Sequence, residues 1–494
     1  MSEDAPVNTG AVEWPEADSA YFAVRRMQIK LHRWAGEDSS RRFGDLFNLV
    51  YDPAFLVHAW ERVSSNAGAR TAGIDRVTVT YIESRVGITA FLDQLRNSLK
   101  SGEFRPVEVR QTMIPKGRSG KLRKLGIPTV ADRVVQAAVK AVLEPIFEAD
   151  FLPCSYGFRP NRRAQDAIAE IHYLTSYPRN YGWVLEADIQ ACFDEIGHTP
   201  LLARVRRRIT DKRLVALVKA FLKSGIMTQT GNREHTLTGT PQGGILSPLL
   251  ANIALSALDE HFDQQWRQEM GTEYQRRKRR NNGQGTWRLI RYCDDFVIVI
   301  SGERHHAEAL REQVTEVLAP LGLRLSPEKT QVVHVEDEGF DFLGFHIHRR
   351  RKRGTNKYYV YTTPSKKAVQ AIKDKVSAKT YRHTLNNSLD EVLVSLNRLL
   401  RGWANYFRHG VSKAVFDQID EHAWHRLVGW IYRKHNRLSW KQLKRRFCLP
   451  GSWTIAHNGV VFTGAASVAV TRYRYRGSTI PTPWTPNPAT ATSS

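Results

Sequence analysis

Four cysteines in 494 residues leave little scope for disulfide or zinc chemistry. They stand at Cys154, Cys192, Cys293 and Cys448, and no two have the close C-x-x-C spacing that zinc sites favour. Long apolar runs are missing too, since no stretch reaches the roughly 18 residues that a membrane-spanning helix requires. The first twenty residues carry Glu3, Asp4, Glu13, Glu16 and Asp18, and they lack the basic start and apolar centre of a secretory leader. No membrane partner is expected, and the cytoplasm is the expected location. Negative charge is scarce: 49 Asp and Glu face 73 Lys and Arg, a net charge of +24. Such a surplus points to a polyanion, and with no membrane signal nucleic acid is the better reading. An apolar content of 41% excludes a disordered chain and supports roughly two to four compact domains.

Ordered structure is expected from about Arg41, where Phe43, Leu46, Phe47 and Val50 recur at helical spacing, with residues 1–40 as an extension. Val135, Val139, Val142 and Ile146 predict a helix with a kink at Pro145, in a mostly helical front section. Trp183 to Ile189 reads as a strand. Leu289 to Tyr292 and Phe296 to Ile300 read as a hairpin around Cys293, Asp294 and Asp295. Between them, Ser247 as cap and Pro248 in the first turn start a helix whose one face carries Leu250, Ala254 and Leu258. Strand, helices and hairpin in this order imply an α+β fold. Beyond about Phe345 come the basic run Arg349 to Arg353, a strand at Lys357 to Thr362 and helical segments to Tyr432. A last module mixes Lys and Arg with Trp440, Trp453, Tyr473 and Tyr475, and the Pro-, Thr- and Ser-rich stretch 477–494 is expected to be disordered.

Asp188, at a strand end, and Asp294 with Asp295, in a hairpin turn, could converge on one site for a hard divalent cation, which demands oxygen ligands. Adjacent acids between apolar strands repel one another unless a cation neutralises them. Taken alone, the Asp-Asp pair reads better as an ordinary polar turn.

Context decides between the two. Asp188 to Asp194 (D-I-Q-A-C-F-D), Gly239 to Pro248 (G-T-P-Q-G-G-I-L-S-P) and Tyr292-Cys293-Asp294-Asp295 follow one another as in a reverse transcriptase palm. Further blocks are Met113 to Lys116, Arg123 to Pro128, Ser155 to Pro160 (S-Y-G-F-R-P), Gly322 to Thr330 and Phe342 to Phe345 (F-L-G-F). With these blocks in this order, the sequence resembles the group II intron reverse transcriptases, from about Arg41 to Trp484. No cysteine pair follows Cys448, so the zinc-supported HNH endonuclease that ends many relatives is not expected.

The resemblance implies a right-hand polymerase: fingers and palm over 41–345, an α-helical thumb or maturase domain over 346–430 and a small DNA-binding region over 431–476. It implies an RNA-directed DNA polymerase that copies group II intron RNA by target-primed synthesis and assists splicing as a maturase. Intron RNA, target DNA and dNTPs are the implied partners, with nucleoid association in a bacterial cell when DNA is engaged; nothing indicates an oligomeric state. Asp188, Asp294 and Asp295 match the catalytic triad that holds two Mg²⁺ ions, for which Mn²⁺ is a possible substitute. Lys116, Arg123, Phe193, Gln242 and Lys329 match nucleotide-pocket residues, Phe193 as the ring that rejects a ribose 2′-hydroxyl. Phe342, Leu343 and Gly344 match the turn that holds the primer terminus, although F-L-G-F could equally be buried packing. Cys293 stands where the family more often has Ala, a change a small buried thiol should tolerate.

Arg349, Arg350, Arg351 and Lys352, with Lys441, Lys444, Arg445 and Arg446, are candidates for RNA or DNA contact. The runs 204–208 and 276–280 suit phosphate contact in the same way. Arg401 to Phe407 (R-G-W-A-N-Y-F) resembles the maturase domain, and its aromatics at helical spacing suit core packing better than base stacking.

Overall fold

The computed structural model describes residues 12–115, 122–228, 232–234, 238–239, 243–436, 438–477 and 480–485. Asp52 opens the helix Pro53–Ser64 by accepting from the Ala54 and Phe55 amides at 2.9 and 3.3 Å, with Pro53 in the first turn where no amide bond is lost. Thr129 caps the helix Val130–Glu148 by accepting from the Asp132 amide at 3.1 Å. Pro145 lies inside that helix and offers no N–H to the Ala141 carbonyl. Gln28 Nε2 donates to that carbonyl instead, at 2.9 Å.

Gln28 belongs to a helix, Ala17–Glu37, which corrects the expectation that order begins near Arg41. Its buried stripe is narrow and built largely of small residues, Ala20, Val24, Leu31 and Ala35, on an otherwise polar helix. The expectation for 477–494 also fails over 480–485. Ile480 and Trp484 are buried, and Trp484 Nε1 donates to Gln28 Oε1 at 3.0 Å while its ring lies 5.5 Å from that of His32. A Pro- and Thr-rich composition hid two apolar anchors.

The strands β1 (Val109–Pro115) and β2 (Leu122–Ile127) form an antiparallel hairpin. A second sheet contains β3 (Trp183–Asp188). Two short strands, β4 (Ile226–Met227) and β5 (Arg233–Glu234), extend the first sheet to the order β2-β1-β4-β5. The helix predicted near Ser247 spans Ser247–Gln264, beginning at Ser247 itself rather than one residue after it. The predicted hairpin is β6 (Thr286–Tyr292) and β7 (Asp295–Ser301), and with β8 (Gln331–His334) it completes an antiparallel sheet of order β6-β7-β3-β8.

That sheet is buried on both faces, so its strands read as continuous apolar runs rather than alternating ones. Leu185 and Ala187 of β3, with Phe296, Ile298 and Ile300 of β7, face a core shared with the helices before it. Val184, Val297 and Val299 face a second core. The second core continues into the sheet β11-β10-β9, made of β9 (Phe340–Phe342), β10 (Phe345–Arg351) and β11 (Tyr358–Pro364). It runs on into the helices Lys366–Lys379, Leu389–Phe407, Lys413–Lys434 and Trp440–Phe447. The change near residue 345 is therefore a change of secondary structure and not a break in packing. A last pair, β12 (Ala456–His457) and β13 (Val460–Val461), lies against the helix Leu389–Phe407. Among the described residues no helix is long and apolar enough to cross a membrane.

Candidate active site

The register of the central sheet brings the acids together. Asp188, the last residue of β3, pairs directly with Asp295, the first of β7. Asp294 sits beside them in the two-residue turn that joins β6 to β7, since Tyr292 pairs with Asp295. Cys293 fills the other turn position at φ +61°, a left-handed conformation that costs a non-glycine residue about 1 kcal/mol or more. Burial pushes the Asp295 carboxyl up to about 7, with the charges of Asp294, Asp188 and Glu186 adding to the rise and Lys329 opposing it. Asp294 is raised as well, first by burial and then by Asp188, while Arg123 and Lys329 act against the rise. The Cys293 thiol is pushed up to about 12 by burial and by Asp294, which keeps it protonated and inert.

Three carboxylates fit a hard divalent cation by donor type. The raised proton affinities of Asp294 and Asp295 come first from burial and then from the neighbouring carboxylates, whose charge such an ion would neutralise. Lys329 already places its ammonium against Asp188 Oδ2. Among the described residues no three such side chains are placed to hold one ion together.

Buried polar groups that sequence reasoning missed hold the turn in place. Arg291 on β6 is fully buried and donates to Asp259 at 2.7 and 2.5 Å, to Asn252 Oδ1 at 3.0 Å, to Ser155 Oγ at 2.8 Å and to the Cys293 carbonyl at 2.8 Å. The signal was available, because an arginine such as Arg291 within the largely apolar strand T-W-R-L-I-R-Y demands a buried acid. The S-Y-G-F-R-P block runs alongside, with the Tyr156 amide donating to the Arg291 carbonyl at 2.8 Å. A Cβ at Gly157 would lie 2.5 Å from the Cys293 nitrogen, so only glycine allows this approach.

Phe193 is half-buried on a short turn, Cys192–Glu195, directly after the strand that ends in Asp188. Thr238 Oγ1 donates to the Asp194 carbonyl at 2.9 Å, and Gly239 packs so closely on this turn that a Cβ would lie 2.6 Å from the Phe193 carbonyl. Gly243 lies against Gly126 and Leu125 of β2, the strand that also carries Arg123. Lys116 and Gln242 lie outside the described residues.

Phe342, Leu343 and Gly344 form the tight turn between β9 and β10, with Leu343 at φ +49° and Gly344 at φ +80°. Phe342 and Phe345 are buried, so the phenylalanines of F-L-G-F pack in the core, and the Gly344 carbonyl accepts from the Ser365 amide at 2.9 Å.

The comparisons with known proteins bear on this geometry. The family described as "Reverse transcriptase (RNA-dependent DNA polymerase)" matches residues 114–347, and "Group II intron, maturase-specific domain" matches residues 369–448. Protein YkfC of Escherichia coli is 38% identical over 363 residues, covering 70% of this chain and 93% of that one. Group II intron-encoded protein LtrA of Lactococcus lactis is 30% identical over 495 residues, covering 85% of this chain and 80% of its own length. The chain belongs to the group II intron-encoded reverse transcriptases. A telomerase structure from Candida albicans aligns with 70% of the chain and 63% of its own at a TM-score of 0.37 and 13% identity.

In this intron-encoded reverse transcriptase the maturase-specific segment packs against the Leu343-Gly344 turn. Tyr406 donates its hydroxyl to the Leu343 carbonyl at 2.9 Å, and its ring stacks on Phe345 at 5.7 Å. Phe407 is buried beneath Gly344 and the half-buried Trp403 packs on it at 4.6 Å, as their spacing suggested, whereas Tyr406 stays 37% exposed.

The basic candidates divide. Arg350, Arg351 and Lys352 are exposed, whereas Arg349 pairs with Glu336 at 2.6 Å and donates to the Thr175 carbonyl, which removes it from the free surface. Arg204 pairs with Glu260 and Arg208 with Asp150, so these two serve the fold. Lys441, Arg445 and Arg446 are exposed on the helix Trp440–Phe447, and Lys444 is half-buried there, lying 4.9 Å over the Trp453 ring.

Proposed function

We propose that this reverse transcriptase adds dNTPs to the 3′ end of a cleaved target-DNA strand, with group II intron RNA as template, and that the same chain assists splicing of that RNA. The observation that carries the reading is the register that sets Asp188 against Asp295 with Asp294 in the adjoining turn. These three residues would hold Mg²⁺, which when bound activates the primer hydroxyl and offsets triphosphate charge. Lys329 and Arg123 bring positive charge to the same acids and suit the triphosphate once the carboxylates are neutralised. Phe193, on the short element that follows the Asp188 strand, is the ring that bars a 2′-hydroxyl. The Leu343-Gly344 backbone, fixed from behind by Tyr406, holds the primer terminus.

Splicing assistance rests on surface cations, because the RNA supplies its own splicing chemistry. Arg350, Arg351 and Lys352 are suited to phosphate contact, and RNA affinity should fall steeply with salt as counterions are released. Primer extension on an RNA template tests the polymerase reading. Asp294→Ala should abolish it, and extension by the folded variant at the wild-type rate would remove Asp294 from catalysis.

A further inference from the structure

Three tryptophans from separate segments meet on the C-terminal side of the maturase helices. Trp424 lies on the helix Lys413–Lys434, Trp440 opens the helix Trp440–Phe447, and Trp453 follows in the loop beyond. Trp424 and Trp440 are parallel to within 8° with ring centroids 6.2 Å apart. Trp453 stands across both at 86° and 84°, with centroids 6.4 and 5.8 Å away. The three rings line one open cavity. Trp440 and Trp453 are 52% and 44% exposed, a large loss of burial for such side chains. The Trp424 indole N–H donates to the Trp453 carbonyl at 2.9 Å, so the box is fixed by its own backbone.

The exposed faces of Trp440 and Trp453 border that cavity, and a flat aromatic base can stack on either of them. An aromatic box can also take an organic cation, but the surroundings oppose it. Lys444 already occupies one face of Trp453, Lys441 and Arg445 are exposed on the helix Trp440–Phe447, and the sequence contains no Asp or Glu after Glu421. A flat base attached to phosphates matches both the rings and the charge.

We propose that Trp424, Trp440 and Trp453 hold one unpaired base of single-stranded RNA, with the flanking phosphates on Lys441, Lys444 and Arg445. RNA is the occupant because Trp424 and Trp440 fall within the maturase-specific segment 369–448; the proposal rests on the intron-RNA reading above. Base flipping from a duplex would cost stacking energy, so loops and bulges are the expected sites.

The test is equilibrium binding of the full chain to a short unstructured RNA, to the same RNA as a blunt duplex and to the matching single-stranded DNA. Trp440→Ala should weaken single-stranded RNA binding by roughly five- to a hundredfold, the range for one lost base stack. Trp440→Phe should recover most of it, and duplex binding and the salt slope should not change. Photocrosslinking of wild-type protein to 5-iodouridine RNA should label Trp424, Trp440 or Trp453, a readout that needs no variant to fold. Unaltered single-stranded RNA affinity in Trp440→Ala, an equal loss on duplex, a loss confined to DNA, or crosslinks absent from all three rings would overturn the proposal. Wild-type failure to extend a primer would instead count against the polymerase reading alone.

Discussion

Asp188 and Asp295 face one another across β3 and β7, two like charges at directly opposed positions of a buried sheet. Such a pair destabilises the sheet that carries it, a cost that the proposed cation would offset.

The Asp295 carboxyl holds its proton up to about 7, whereas the unfolded chain releases it in the ordinary carboxylate range. Between those values the folded state binds more protons, so stability falls as pH rises from about 4 to 7. Without divalent cations at pH 8, Asp295→Asn should melt higher than wild type, and the gap should close towards pH 4. Thermal melts in a chelating buffer check this, and an Asn variant less stable at pH 8 would contradict it.

Arg291 and Asp259 form a fully buried ion pair beneath the turn that carries Asp294. Removing one partner leaves a bare charge, so Asp259→Ala should cost about 3–5 kcal/mol. An Arg291→Met, Asp259→Leu double variant should recover most of that stability in urea denaturation. It should still extend primers poorly, because the Cys293 carbonyl has lost its donor. Full activity in the double variant would make the arginine a purely structural residue.

Tyr406→Phe keeps the ring on Phe345 and deletes only the bond to the Leu343 carbonyl. Primer extension should fall about two- to tenfold, the worth of one hydrogen bond, with the melting temperature little changed. The loss should appear in KM for the primer terminus. A drop in stability with unchanged primer kinetics would deny the turn a role in holding primer.

Phe193→Val should admit ribonucleotides more readily, since it shortens the ring proposed to bar a 2′-hydroxyl. Steady-state incorporation of paired dNTP and rNTP substrates measures it. An unchanged preference would place the steric gate elsewhere.

The palm was legible in the sequence because its signals are local. Apolar runs broken by acids give β3, β6 and β7. Long-range pairings were not legible. Gln28 answers a carbonyl freed by Pro145, and Trp484 closes on Gln28 from the far end of the chain. Neither partner carries a periodic signal of its own. Arg349 looked like one of a run of free cations, and only the fold shows Glu336 beside it.

The central claim is that one chain divides its labour between a palm that polymerises and surfaces that hold intron RNA. An Asp294→Asn, Asp295→Asn double variant preserves side-chain size while removing two charges from the palm. The deciding measurement is splicing of the cognate intron at moderate Mg²⁺ by this variant, alongside primer extension, once it is shown to fold and bind RNA. The account predicts no DNA synthesis and undiminished splicing; loss of splicing together with synthesis would contradict it.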